Sequence, residues 1–110
     1  MIIELAGGLF SPLDECSCML DFMCKYPLPT ILVGKYYLGA INHIILSIKM
    51  LKQCGIDVLC LVMNGDKDLN IDNFIYNYTR INIVHLNTFN TENFHQKILS
   101  FKNEIKAYIS

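Results

Sequence analysis

No stretch of the 110 residues fits G-x-x-x-x-G-K-[ST]. That is the loop whose backbone N–H groups and lysine cradle nucleotide phosphates. A nucleotide site built from these residues alone therefore lacks its phosphate clamp. Basic charge is scarce as well: nine Lys and Arg stand against ten Asp and Glu, for a net charge of -1. That balance leaves no electrostatic footprint for nucleic acid. No apolar run approaches the length of a membrane span, so no membrane association is expected. Met1 leads straight into Ile2-Ile3-Glu4 without a basic region, and no signal peptide is visible. Internal repeats, low-complexity tracts and interdomain linkers are also missing. Cysteine is present but odd in number: Cys16, Cys18, Cys24, Cys54 and Cys60. An unpaired set predicts reduced thiols and a cytoplasmic location. Cys16-x-Cys18 with Cys24 has the look of half a metal site. No second Cys/His pair sits at zinc-finger spacing, so a structural role is expected.

What is present is apolar sequence in two periods. The composition is 53% hydrophobic and 17% charged. A buried parallel sheet explains part of that, and a face covered by more chain or by a partner explains the rest. One domain, residues 1–110, is the most this length supports. The stretch from Pro29 to Met50 organises it. Pro29-Thr30-Ile31-Leu32-Val33-Gly34 reads as a buried strand. Lys35 to Gly39 is a glycine-bounded turn. Ala40, Ile41, Ile44, Ile45, Ile48 and Leu51 then mark one face of an amphipathic helix. Gly55 sits where a C-terminal cap belongs.

Around this unit the chain alternates. Ile2 to Leu5 reads as a strand and Ala6-Gly7-Gly8 as a tight turn. A short helix carries Met19, Leu20, Phe22 and Met23, capped by Asp14 or Ser17. Asp57 to Met63 is a second continuous apolar strand, with Val58-Leu59-Cys60-Leu61-Val62 at its centre, closed by Asn64-Gly65-Asp66. Asn70 caps a helix with Ile71, Phe74, Ile75 and Tyr78 inward. Ile81 to Leu86 is a further strand, central or at an edge. Thr91 caps a last helix whose core stripe is Phe94, Ile98, Phe101, Ile105 and Tyr108. The order βαβαβαβα predicts an α/β fold of three layers, α/β/α, around a mostly parallel sheet.

Candidate sites follow from that topology, because ligands of open α/β sheets bind at the C-terminal ends of the strands. The start of the central helix, Leu38 to Asn42, offers free N–H groups and a positive dipole end to a carboxylate or phosphate. Asn42 is either a ligand contact there or a solvated amide. Glu4 is either a Mg²⁺ ligand beside phosphates or an ordinary acid at a strand end. Asn64 either reads a base edge with its amide or simply forms the turn before Gly65. Lys35 and His43 are expected to be solvated or packed. His85 and His95 lack a partner at metal spacing and read as surface or strand residues.

At these residues the chain resembles dethiobiotin synthase, the ATP-dependent enzyme that closes the ureido ring in biotin synthesis. The resemblance rests on Glu4-Leu5-Ala6-Gly7-Gly8-Leu9-Phe10-Ser11-Pro12, on Pro29 to Gly34 followed by Leu38-Gly39-Ala40-Ile41-Asn42-His43, and on Val62-Met63-Asn64. It covers residues 1 to 85 well and the last helix loosely. It implies the C-terminal part of a P-loop NTPase-like domain. It implies Mg²⁺ at Glu4, and ATP against Glu4, Leu5, Ala6, Gly7, Asn64 and Gly65. It implies that Leu38, Gly39, Ala40, Ile41 and Asn42 hold the carboxylate of 7,8-diaminopelargonic acid, across a homodimer interface, with CO₂ or bicarbonate as the third reactant. The chain departs from the family pattern at Leu5, in a longer turn at Lys35-Tyr36-Tyr37, and at Asn87-Thr88-Phe89-Asn90 in place of a proline-rich segment. The family's N-terminal half, with its phosphate loop, has no counterpart in these residues. No residue of a catalytic lysine type is therefore assigned. The competing reading is a non-catalytic remnant or a split half that only folds or dimerises with a partner.

Overall fold

The computed structural model describes residues 2–5, 7–87 and 92–109. Seven elements follow in order: α1 (Met19–Lys25), β1 (Thr30–Lys35), α2 (Ala40–Gln53), β2 (Val58–Asn64), α3 (Leu69–Thr79), β3 (Ile83–Leu86) and α4 (Phe94–Ile109). The strands form one three-stranded sheet in the order β1-β2-β3. Both pairings are parallel, as the alternation of strands and helices requires.

Side-chain alternation along β2 builds a core on each face of this sheet. Leu61 and Met63 point to one side, where Ile44, Ile48 and Leu51 of α2, Ile75 of α3 and Leu20 and Met23 of α1 meet them. Cys60 and Val62 point to the other, where Val84 joins them under Phe101, Ile105 and Tyr108 of α4. Three layers result, with β2 covered on both faces from Cys60 to Met63 and exposed only at Asn64. β1 is covered on one face only: Ile31 and Val33, which point away from α2, are 37% and 66% exposed. All five cysteines are free thiols, and burial pushes the Cys60 thiol up from its ordinary value.

Local chemistry sets the element ends. The N-cap of α1 is Cys18, whose backbone N–H donates to Asp21 Oδ2 at 2.8 Å. Asp14 instead accepts the N–H groups of Cys16 and Ser17, both at 2.9 Å, in the turn before the helix. Asp68, two residues ahead of Asn70, caps α3 by accepting from the N–H groups of Asn70 and Ile71. A cap of this kind contributes about 1 kcal/mol. Gly55 takes the left-handed conformation, φ 75°, directly after α2 and donates its N–H to the Lys52 carbonyl at 3.0 Å.

Three expectations are corrected. Ile2 to Leu5 is not a strand: Ile2 is 97% exposed, and the segment pairs with neither edge of the sheet. A strand this short survives only with a paired neighbour, and Leu5 gains its burial by packing against the α2-side core instead. On α3, Phe74 and Tyr78 lie outward, 50% and 56% exposed, stacked on each other with centroids 5.9 Å apart. The inward face is occupied by Asp72, Ile75 and Thr79. On α4 the stripe is half-buried rather than core, and Phe94 is 40% exposed, edge-on to His95. Ala6 and Thr91 lie outside the described residues.

Candidate functional site at the C-terminal ends of the strands

Register places Lys35, Asn64 and Leu86 side by side at the C-terminal edge of the sheet. The turn from Tyr36 to Gly39 leaves β1 there and enters α2. Gly39 is the N-cap of α2, with φ 89°, a left-handed conformation that glycine adopts without strain. No side chain caps this helix, and nothing lies within 4 Å of where a Cβ on Gly39 would stand. The Tyr37 carbonyl accepts the Ala40 N–H at 3.0 Å. The N–H groups of Gly39, Ile41 and Asn42 have no protein acceptor among the described residues. The three open donors sit at the positive end of a 14-residue helix. Gly39 and Ile41 line a hollow of about 470 Å³ formed by Tyr36 to Ile41 with Asp68 and Ile71, and Asn42 follows directly on the helix. Ala40 itself is buried, whereas Leu38 and Asn42 are exposed.

At the neighbouring strand end, Asn64 is exposed. Gly65 turns with φ 111° and donates its N–H to the Leu86 carbonyl at 3.2 Å. A Cβ on Gly65 would stand 3.9 Å from Tyr36 Cδ2, so the tyrosine ring abuts this turn. The helix start and the Asn64 turn are thus brought to one edge, as the topology predicts. Lys35 is exposed, and His43 pairs with the Tyr37 hydroxyl through Nδ1 at 2.6 Å.

Glu4 is placed differently from its expectation. It is exposed on an irregular segment, not at the end of a strand. Gly7 holds φ 83° and packs so closely on Ser11 that a Cβ there would clash with its hydroxyl. A Cβ on Gly8 would stand 3.9 Å from His43 Nε2, so this segment approaches the first turn of α2. Among the described residues, no three His, Cys, Asp or Glu side chains gather at metal-binding distance. Mg²⁺ habitually takes one or two carboxylates and completes its shell with water and phosphate oxygens. Glu4 suits one position of such a shell, and these residues do not form the rest.

A group absent from the sequence reading lies beneath the edge. Asp72, 6% exposed, accepts from the Tyr36 hydroxyl at Oδ1 and from His85 Nε2 at Oδ2, each at 2.7 Å. Glu104 of α4 stands 3.7 Å from His85 Nδ1. Burial and the Asp72 carboxylate push the Tyr36 phenol well above its ordinary value of 10.0, so it remains a donor at any physiological pH. His85 is therefore a partnered strand residue rather than a surface one. The available signal was helical phase: Asp72, Ile75 and Thr79 fall on one face of α3, which puts a carboxylate among core positions.

A family described as an AAA domain matches residues 1–93. The chain belongs to the AAA-domain family. The three-stranded parallel sheet and four helices of the described residues are the α/β part of such a P-loop NTPase-like domain. Among individual relatives of this AAA-domain chain, the ATP-dependent dethiobiotin synthetase of Campylobacter jejuni is 52% identical over 109 residues. That alignment spans 99% of this chain and 53% of the relative. The dethiobiotin synthetase of Christiangramia forsetii is 38% identical over 84 residues, 76% of this chain and 40% of its own. That of Paramagnetospirillum magneticum is 37% identical over 68 residues, 62% and 33% respectively. The chain spans about half the length of the Campylobacter relative. The resemblance to dethiobiotin synthase read from the motifs is borne out at this level.

Proposed function

We propose that this chain is the substrate-holding half of a dethiobiotin synthetase, acting in biotin biosynthesis. The observation that carries the proposal is the 52% identity to the Campylobacter jejuni enzyme over 99% of the chain, which runs through each candidate site motif. In the proposed reaction CO₂ adds to one amine of 7,8-diaminopelargonic acid, ATP phosphorylates the carbamate, and the second amine closes the ring and expels phosphate. The residues here hold and orient; none is assigned a covalent role. The N–H groups of Gly39, Ile41 and Asn42, joined by the exposed side-chain amide of Asn42, take the diamine's carboxylate, with Leu38 and Ala40 framing the hollow. Such a site uses a helix N-terminus as an anion seat. Asn64 and Gly65 take adenine, through the amide edge of the one and the close backbone approach the other permits. Glu4, Leu5, Ala6 and Gly7 lie along the phosphates. When Mg²⁺ is bound it neutralises phosphate charge, and Glu4 is the residue assigned to it. The site is completed across a homodimer in the cytoplasm.

The phosphate clamp, on this reading, comes from polypeptide outside these 110 residues. The edge of β1, unpaired among the described residues and with Ile31 and Val33 left bare beside it, supports this placement. An unpaired strand with an apolar flank invites a further strand. The test uses enzyme reconstituted from this chain and a phosphate-loop half. Asn42→Ala, which keeps the backbone N–H and removes the side-chain amide, should raise KM for the diamine about fivefold to tenfold and leave KM for ATP within about twofold, the loss of that amide's contact with the carboxylate. Equal increases in both constants would remove Asn42 from the carboxylate seat.

A further inference from the structure

Tyr36 leaves the end of β1, His85 lies near the end of β3, and β2 stands between them. The two meet on the same carboxylate, one at each oxygen of Asp72. A network for stability alone has a cheaper form. Replacing buried ionic groups with apolar side chains of similar volume is often neutral or stabilising. Here a nearly buried carboxylate and a phenol are desolvated in order to link two strand ends that do not touch. The tyrosine is also the first residue of the turn that carries the open N–H groups, and its ring lies against the Gly65 turn.

We propose that Asp72 is a positioning residue. Through Tyr36 it fixes the β1–α2 turn, and so the direction of the N–H groups at the start of α2, relative to the Asn64 turn. His85 holds the second oxygen so that the carboxylate cannot rotate away from Tyr36. This inference deepens the proposed function and rests on its placement of the anion seat. The groups that face Asp72 are Tyr36 from the β1–α2 turn and His85 from β3. Glu104 of α4 stands behind the imidazole.

The experiment reads hydrogen–deuterium exchange in the 110-residue chain without any ligand, so its outcome stands apart from whether the seat takes a carboxylate. The reporters are the Ala40 N–H, bonded to the Tyr37 carbonyl, and the His43 N–H, bonded to the Gly39 carbonyl. The control is the Leu61 N–H in β2, bonded to the Asn82 carbonyl. In Tyr36→Phe the two reporters should exchange about tenfold faster, the consequence of losing one hydrogen bond to a charged group, while Leu61 is unchanged. His85→Leu, altered two strands away, should accelerate the same reporters. Unchanged reporters in Tyr36→Phe would overturn the proposal. So would a uniform acceleration that includes Leu61, because that reports global stability rather than the turn. Tyr36→Phe keeps the ring and its packing, so it decides the matter even where His85→Leu fails to fold.

Discussion

Phosphate release from ATP should stay at background when the purified 110-residue chain is given diaminopelargonic acid, bicarbonate, ATP and Mg²⁺. Phosphoryl transfer needs the charge of the γ-phosphate held and neutralised, which enzymes of this class do with a phosphate-loop lysine, backbone N–H groups and Mg²⁺. Removing one well-placed electrostatic donor costs on the order of 10²–10³ in rate. These residues contain no phosphate-loop motif, and the one carboxylate assigned to Mg²⁺, Glu4, is exposed on an irregular segment. With the whole clamp lacking, the expected loss exceeds what a phosphate-release assay detects. Robust release that disappears in Glu4→Ala would show that the segment from Glu4 to Gly7 supports catalysis without a clamp.

The second large effect is on folding. Ile48 is fully buried at the centre of α2, in the core that joins α2 to the sheet. Ile48→Ala should cost about 2–5 kcal/mol, the transfer free energy of the lost atoms plus the cavity they leave. A small domain has only about 5–15 kcal/mol in total. One face of β1 is uncovered and α4 buries none of its residues fully, so this chain belongs at the low end of that range. Denaturant unfolding followed by circular dichroism measures the change. A cost below about 1 kcal/mol would mean that α2 is not anchored to the sheet as described.

The sheet and α2 were legible because their signals are long. β2 is a continuous apolar run, and α2 keeps its phase through Ile44, Ile48 and Leu51, all buried. Element ends were less so, because capping depends on which of several neighbouring Asp, Asn or Ser residues finds extended backbone. Asp68 prevails over Asn70, and Cys18 with Asp21 over Asp14 or Ser17. Ile2 to Leu5 has the composition of a strand, but pairing is a tertiary fact that four residues do not declare. Phe74 and Tyr78 follow a helical phase that also fits an outward stack, and Lys49 settles over Tyr78 at 4.8 Å there. The site's outline, Leu38 to Asn42 beside Asn64, followed from topology. The Tyr36–Asp72–His85 link did not, because its members are 36 and 13 residues apart and chain order gives no register for them.

On the proposed function, this chain supplies the substrate-holding half of a dethiobiotin synthetase. The most direct measurement mixes it with the separately made N-terminal half of the Campylobacter jejuni enzyme and follows dethiobiotin by mass spectrometry. The reaction contains diaminopelargonic acid, bicarbonate, ATP and Mg²⁺. Product should require both polypeptides and fall when Asn42 is replaced by alanine. A stable complex of the two halves that binds ATP but forms no dethiobiotin would contradict the proposed function.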